Sequence, residues 1–148
     1  VKPTEFETFC AELFCKMGYA AMVTPPANDG GYDIWLEQNG NTAIVECKCY
    51  NSSHTVGRPL IQKLVGANSV LSADRMIFVT TSDFSSGAVE YAKETGVELI
   101  NGVSLLVWLK HYGLVSGKNP VIYPSEWQLQ KEDLKPYVPS DIYAEYFR

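Results

Sequence analysis

The chain is 148 residues long, with 12 Lys plus Arg against 17 Asp plus Glu, a formal net charge of −5. That acidic excess excludes a protein that coats DNA by charge alone. At 46% hydrophobic and 20% charged residues, the composition is that of a soluble globular domain able to bury roughly two thirds of its unfolded surface in one core.

Between Thr4 and Met17, the residues Phe6, Phe9, Cys10, Leu13, Phe14 and Met17 recur at spacings of three and four. That is one face of an amphipathic helix, which Gly18 ends. A short strand follows at Ala20 to Thr24. Pro25-Pro26 breaks it, and Ala27-Asn28-Asp29-Gly30-Gly31 reads as a tight turn or loop. Two strands come next, Tyr32 to Gln38 and Asn41 to Tyr50, joined by Asn39-Gly40, the strongest short-range signal for a two-residue hairpin. Residues Asn51 to Arg58 form a polar loop, and Pro59 opens a helix carrying Leu60, Ile61, Leu64 and Val65. Met76 to Thr81 is a buried strand. Ser85 caps a helix that runs to Gly96, followed by a strand at Val97 to Ile100 and a helix at Ser104 to Tyr112.

The predicted order is α-β-β-β-α-β-α-β-α, one domain over residues 1–113. From residue 114 to 148 the periodicity is lost, with Pro120, Pro124, Pro136 and Pro139 interleaved with Trp127 and several tyrosines. This C-terminal arm is expected to be extended and to pack its aromatics on the domain or on a partner.

No apolar run approaches the roughly 18 residues a membrane helix needs, so no membrane contact is expected from this segment. The chain starts at Val1 rather than Met, which leaves room for an anchor or specificity domain in a longer protein. Cys10, Cys15, Cys47 and Cys49 are spaced C-x4-C and C-x-C, unlike the usual zinc pairs. They read as small hydrophobes in a protein of the reducing cytoplasm.

The hairpin carries a geometric consequence. A two-residue loop at 39 and 40 pairs each residue i with 79 − i, so Asp33 falls opposite Glu46. Directly opposed Cβ atoms lie about 5 Å apart and diagonal ones about 7 to 8 Å, which brings Lys48 into the same group. Glu46 and Lys48 share one face of the strand, and Val45, Cys47 and Cys49 share the other. Two opposed carboxylates require solvent, a shared proton or a bound cation. A surface hairpin with a cross-strand ion pair satisfies that requirement. So does Mg²⁺, which takes one or two carboxylates, keeps several waters and accepts a phosphate oxygen.

Asp33, followed after twelve intervening positions by Glu46-x-Lys48 on consecutive strands of an α-β-β-β-α-β core, resembles the PD-(D/E)xK nuclease superfamily. Phe6-Glu7, Gly18-Tyr19, Asp29-Gly30-Gly31-Tyr32-Asp33, Val45-Glu46-Cys47-Lys48, Val56-Gly57, Leu64-Val65-Gly66-Ala67 and the Val79 to Ser85 segment resemble, more narrowly, its Mrr-like restriction endonuclease domain. The likeness spans about residues 4 to 110 and leaves the arm uncovered. It implies an α/β fold of the restriction-endonuclease type, a mixed central sheet flanked by helices.

The same resemblance implies that Asp33, Glu46 and the backbone carbonyl of Cys47 ligate Mg²⁺, with Mn²⁺ able to substitute, and that Lys48 is the catalytic lysine. An acidic residue of the first helix often completes such a site. Helix phase leaves Glu5 and Glu7 on opposite flanks of the apolar face. The family position beside Phe6 selects Glu7, directly or through water, and leaves Glu5 and Glu12 as solvated helix residues. Gln62 matches a glutamine at the active-site edge of the superfamily, or is a polar flank residue.

Arg58 and Lys63 are the nearest other cations in sequence and are candidates for phosphate contact, against the commoner role of solvated side chains. Asp29 suits a turn, His54 is a candidate base or an exposed loop histidine, and His111 is a helix-end residue. Thr80, Thr81 and Ser82 could donate to a phosphate, although Ser82 and Ser85 are also explained by the start of the next helix.

The activity implied is metal-dependent DNA cleavage in restriction or defence, with repair as a live alternative. In-line attack would leave a 5′-phosphate, and double-strand cutting would favour a homodimer. A nuclease-shaped module that binds nucleic acid or a partner protein without cutting is the competing reading. Nucleotide-binding glycine motifs, a zinc-protease motif and a serine-hydrolase elbow are all missing from the sequence. Around the expected substrate edge, Glu46 to Lys63, three cations face one acid. The net acidity therefore predicts weak DNA affinity rather than none.

Overall fold

A computed structural model of the chain describes residues 3–24 and 30–112. Residues 25–29, which include Asp29 and most of the turn or loop expected at 27–31, and the expected arm at 114–148 lie outside the described residues.

Helix α1 (Pro3–Lys16) is followed by strands β1 (Ala20–Val23), β2 (Ile34–Gln38) and β3 (Asn41–Lys48). After the short strand β4 (Thr55–Val56) come α2 (Arg58–Leu71), β5 (Arg75–Thr80), β6 (Asp83–Phe84), α3 (Ser86–Thr95), β7 (Glu98–Ile100) and α4 (Gly102–His111). The main sheet has the order β1-β2-β3-β5-β7. Its first three strands are antiparallel and β3, β5 and β7 run parallel. The mixed sheet with flanking helices is the α/β architecture expected of a restriction-endonuclease-like core.

The hairpin forms as its turn dictates. Asn39 and Gly40 both have positive φ, 53° and 82°, as a two-residue type I′ turn requires. The register pairs Gln38 with Asn41 and Ile34 with Val45, so each pair sums to 79.

Alternation along β3 separates two cores. Ala43, Val45 and Cys47 join Phe6, Leu13 and Phe14 of α1 and Leu105, Leu106 and Leu109 of α4. Ile44, one residue out of phase, joins Phe78 of β5 with Ile61 and Leu64 of α2 and Ala88 of α3. Burial of β3 on both faces makes its C-terminal half a rigid base, because a one-residue slip would exchange the two faces.

Several boundaries move from the expected ones. Tyr32 and Asp33 precede β2, and Cys49 and Tyr50 leave β3. Helix α2 starts at Arg58, placing Pro59 in its second position. Helix α4 starts two residues early because the Asn101 side chain accepts the Ser104 N–H at 3.0 Å, an N-cap that the periodicity alone did not reveal. Ser85 caps α3 as expected, accepting from the Ala88 N–H at 3.1 Å. The two-stranded pair of β4 and β6 was not anticipated. Among the described residues no helix is long and apolar enough to cross a membrane.

Candidate active site

The site is built at the C-terminal end of β3, where the antiparallel hairpin has ended and the parallel pairing to β5 continues. Asp33 is tied to that strand twice. Its backbone N–H donates to the Val45 carbonyl at 2.8 Å, one residue out of the hairpin register, which ends at the pair Ile34 and Val45. Its carboxylate Oδ2 accepts the Cys47 N–H at 2.8 Å. The second bond holds the charged group against β3 and leaves lone pairs for the neighbouring acids.

Glu46 is the buried acid of the group, at 9% exposure. Burial pushes its pKa up to about 9, assisted by a hydrogen bond to Asp33 and by Asp33's charge, while Lys48 and Lys63 pull it back. Glu7 reaches the same place from α1. Its pKa rises to about 7 through burial, the charge of Asp33 and a side-chain hydrogen bond to Asp33, with Lys48 opposing. Three acids therefore cluster, and burial together with the neighbouring Asp33 favours the neutral forms of Glu7 and Glu46.

Of the α1 carboxylates, Glu7 lies close enough to Asp33 for that charge to raise it, whereas Glu12 lies near Cys15. Lys48 is half-buried and close enough for its charge to act on both Glu7 and Glu46.

Among the described residues no group of three or more His, Cys, Asp or Glu side chains is arranged as a ready-made metal cage. The donor set instead fits a hard cation such as Mg²⁺, which needs only one or two carboxylates beside water and phosphate. Asp33 and Glu46 could hold such an ion, with Glu7 beside them. Both Glu7 and Glu46 would have to lose their protons to do so.

The remaining candidates divide. Lys63, exposed on α2, is near enough to act on Glu46, and Gln62 is exposed on the first turns of the same helix. Arg58 turns away to α3, its guanidinium 4.8 Å above the Tyr91 ring. The Nδ1 of His54 sits 3.1 Å from Asn51 Oδ1 on the exposed loop after β3. His111 ends α4. The Thr80 and Thr81 hydroxyls are not available to a phosphate. Both residues are fully buried and their hydroxyls donate to the carbonyls of Lys48 and Tyr50.

All four cysteines are free. Cys47 and Cys10 are buried, and burial followed by the neighbouring Cys10 pushes the Cys47 thiol up, as befits core residues rather than ligands. A cleft of about 230 Å³ lies at the opposite end of β3, lined by Tyr19, Gln38, Asn41, Thr42 and Arg75 among others. Its guanidinium is engaged by Glu98, with two bonds of 2.7 Å, and by the Tyr19 hydroxyl.

A sequence-family model described as a restriction endonuclease, Mrr_cat, matches residues 1–109. The chain belongs to that family. Over 115 residues it is 32% identical to the type IV methyl-directed restriction enzyme EcoKMrr of Escherichia coli K12, covering 72% of this chain and 37% of that protein. The chain thus spans well under half of that relative.

Among solved structures, a protein of unknown function, AF1548, superposes with a TM-score of 0.68 at 16% identity, over 99% of this chain and 97% of that one. The DNA modification-dependent restriction endonuclease AspBHI superposes with a TM-score of 0.62 at 22% identity, over 73% of this chain and 31% of that one. These likenesses show a shared fold. The Mrr_cat match covers every element that contributes to the carboxylate cluster, α1, the segment before β2, and β3.

Proposed function

We propose that this Mrr_cat chain is the catalytic domain of a metal-dependent DNA endonuclease acting in restriction or defence. The observation that carries the reading is the convergence of Glu7, Asp33, Glu46 and Lys48 at one end of β3. A structural hairpin gains nothing from a buried glutamic acid beside a second carboxyl group, since burial without a cation disfavours the charged form.

Asp33 and Glu46 are the metal ligands in this reading, with the Cys47 carbonyl beside them and Glu7 acting directly or through water. A bound Mg²⁺ or Mn²⁺ would supply charge neutralisation at the scissile phosphate and acidify the attacking water. Lys48 orients that water and offsets the charge that develops on the phosphate oxygens. Asp33 is held in place by the Cys47 N–H, so its carboxylate keeps one orientation while substrate arrives. Glu46 and Glu7 would hold a cation only in their ionised forms. Attack in line with the leaving 3′-oxygen leaves a 5′-phosphate. Gln62 and Lys63 form the α2 edge of the site, and Arg58 meets the DNA backbone farther out, if at all.

Double-strand cutting would use a homodimer. Choice of target, including the modified DNA named for EcoKMrr, belongs to a further domain or partner. The free cysteines suit a reducing cytoplasm.

The test is cleavage of supercoiled, linear and methylated DNA with Mg²⁺ or Mn²⁺ by the wild type, Asp33→Ala and Lys48→Ala. Cleavage by the wild type alone is expected. Equal cleavage by all three, or none by the wild type together with undetectable metal binding, overturns the proposal and favours a module that binds without cutting.

A further inference from the structure

Thr80, Thr81 and Ser82 are 0%, 0% and 7% exposed, and a buried hydroxyl is costly unless it is paired. Each of these is paired, and each to the same stretch of chain. Thr80 Oγ1 donates to the Lys48 carbonyl at 2.9 Å, which also accepts the Thr81 N–H at 3.3 Å. Thr81 Oγ1 donates to the Tyr50 carbonyl at 2.7 Å and accepts the Tyr50 N–H at 3.0 Å. Ser82 Oγ donates to the His54 carbonyl.

The regular ladder between β3 and β5 ends at the pair Lys48 and Thr80. Beyond that pair, hydroxyls replace backbone groups and continue the pairing into the loop. The arrangement is braced from behind. The Gly102 N–H donates to the Ser82 carbonyl at 2.8 Å, and a Cβ at Gly102 would overlap the Thr81 carbonyl oxygen.

We propose that Thr80 and Thr81 are positioning residues whose hydroxyls fix the Lys48–Tyr50 backbone and thereby aim the Lys48 side chain at the carboxylate cluster. The inference rests on the nuclease reading above, in which Lys48 meets the attacking water. Lys48 is the last residue of its strand, where a chain otherwise frays. The two hydroxyls bond the backbone at that end, while the chain becomes an exposed loop from Asn51 onward.

Thr→Val keeps the shape of the side chain and removes the hydroxyl; Thr→Ser keeps the hydroxyl. In the full-length chain, Thr80→Val and Thr81→Val are expected to lower kcat about 10- to 100-fold, the loss that a displacement of about 1 Å brings. Little change in KM is expected, and Thr80→Ser and Thr81→Ser should recover most of the rate. Hydrogen exchange over residues 48–54 should quicken in the valine variants and stay slow in the serine variants.

Unchanged exchange in the valine variants overturns the clamp, whatever the activity. Faster exchange with unchanged kcat, in a wild type that cuts and a Lys48→Ala variant that does not, overturns the aiming of Lys48 while leaving the nuclease reading intact. A wild type that neither cuts nor detectably binds Mg²⁺ or Mn²⁺ sinks the nuclease reading and the aiming of Lys48 with it.

Discussion

The Asp33 carboxylate accepts the backbone N–H of Cys47 at 2.8 Å, across the open end of the hairpin. A single side chain thus does two things: it satisfies a β3 amide that β2 no longer reaches, and it stands beside Glu46 and Glu7 as their shared partner.

Separating those two roles gives the first prediction. Asp33→Asn retains an oxygen acceptor but no charge, whereas Asp33→Ala leaves the Cys47 N–H without this partner. Both substitutions should abolish metal-dependent cleavage. Asp33→Ala should also cost about 1–3 kcal/mol more stability than Asp33→Asn, the penalty of an unpaired amide. Urea denaturation of the two variants decides it, and equal midpoints would show that the bond carries no stability.

Glu46 and Glu7 set the pH dependence of the metal-free protein. An acid whose pKa is raised on folding binds its proton more tightly in the folded state. Its contribution is fully present below about 4.5, the ordinary value, and is lost as pH rises through about 7 for Glu7 and about 9 for Glu46. Stability should therefore fall from about pH 4.5 to about pH 9, most steeply below about 7 where both acids contribute. Tm measured across that range in chelator should drop for the wild type and drop less for Glu46→Gln. A flat profile in the wild type would contradict the clustering.

Metal binding should be coupled to the same protons. Mg²⁺ or Mn²⁺ can use Glu46 and Glu7 only after they ionise, so affinity should rise with pH and binding should release protons. Calorimetry in two buffers of different ionisation enthalpy counts them. Glu46→Gln should release about one fewer, and binding with no proton release would show that the acids are already ionised.

Gly31 governs how closely the segment carrying Asp33 approaches α2. Its φ is +84°, and a Cβ there would lie 2.9 Å from Ala67 Cβ. Gly31→Ala should destabilise the protein by about 1–3 kcal/mol through backbone strain and overpacking together. Adding Ala67→Gly should relieve the contact but not the strain, giving partial recovery in chemical denaturation. Full recovery would place the whole cost in the contact.

Strand content and the hairpin register from Gln38–Asn41 to Ile34–Val45 were legible in the sequence because they are local; Asp33 lies just past that register, with its N–H on the Val45 carbonyl instead of squarely opposite Glu46. Asn39-Gly40 fixes the turn, the turn fixes the pairing, and a period of two fixes the faces. The Phe6 to Met17 stripe gave α1 in the same way. Its phase could not choose between Glu5 and Glu7, since both flank the apolar face; the proximity of Glu7 to Asp33 becomes visible only once α1 is packed on the sheet.

The pairing of β4 with β6 joins residues 28 apart, and two-residue strands have no period to read. Thr80 and Thr81 look in sequence like polar residues at a strand end, free to meet a phosphate. Burial redirects their hydroxyls to the Lys48 and Tyr50 carbonyls, because an unpaired hydroxyl in a core must find an acceptor nearby. Arg58, one helix position from Pro59, is drawn by Tyr91 and away from the acids. The amino-acid order by itself determined that Asp33, Glu46 and Lys48 come to one end of the hairpin, since spacing along a hairpin is a property of the chain. Their protonation and their supports were decided only by the tertiary structure, because desolvation and buried hydrogen bonds exist only once distant segments have packed together.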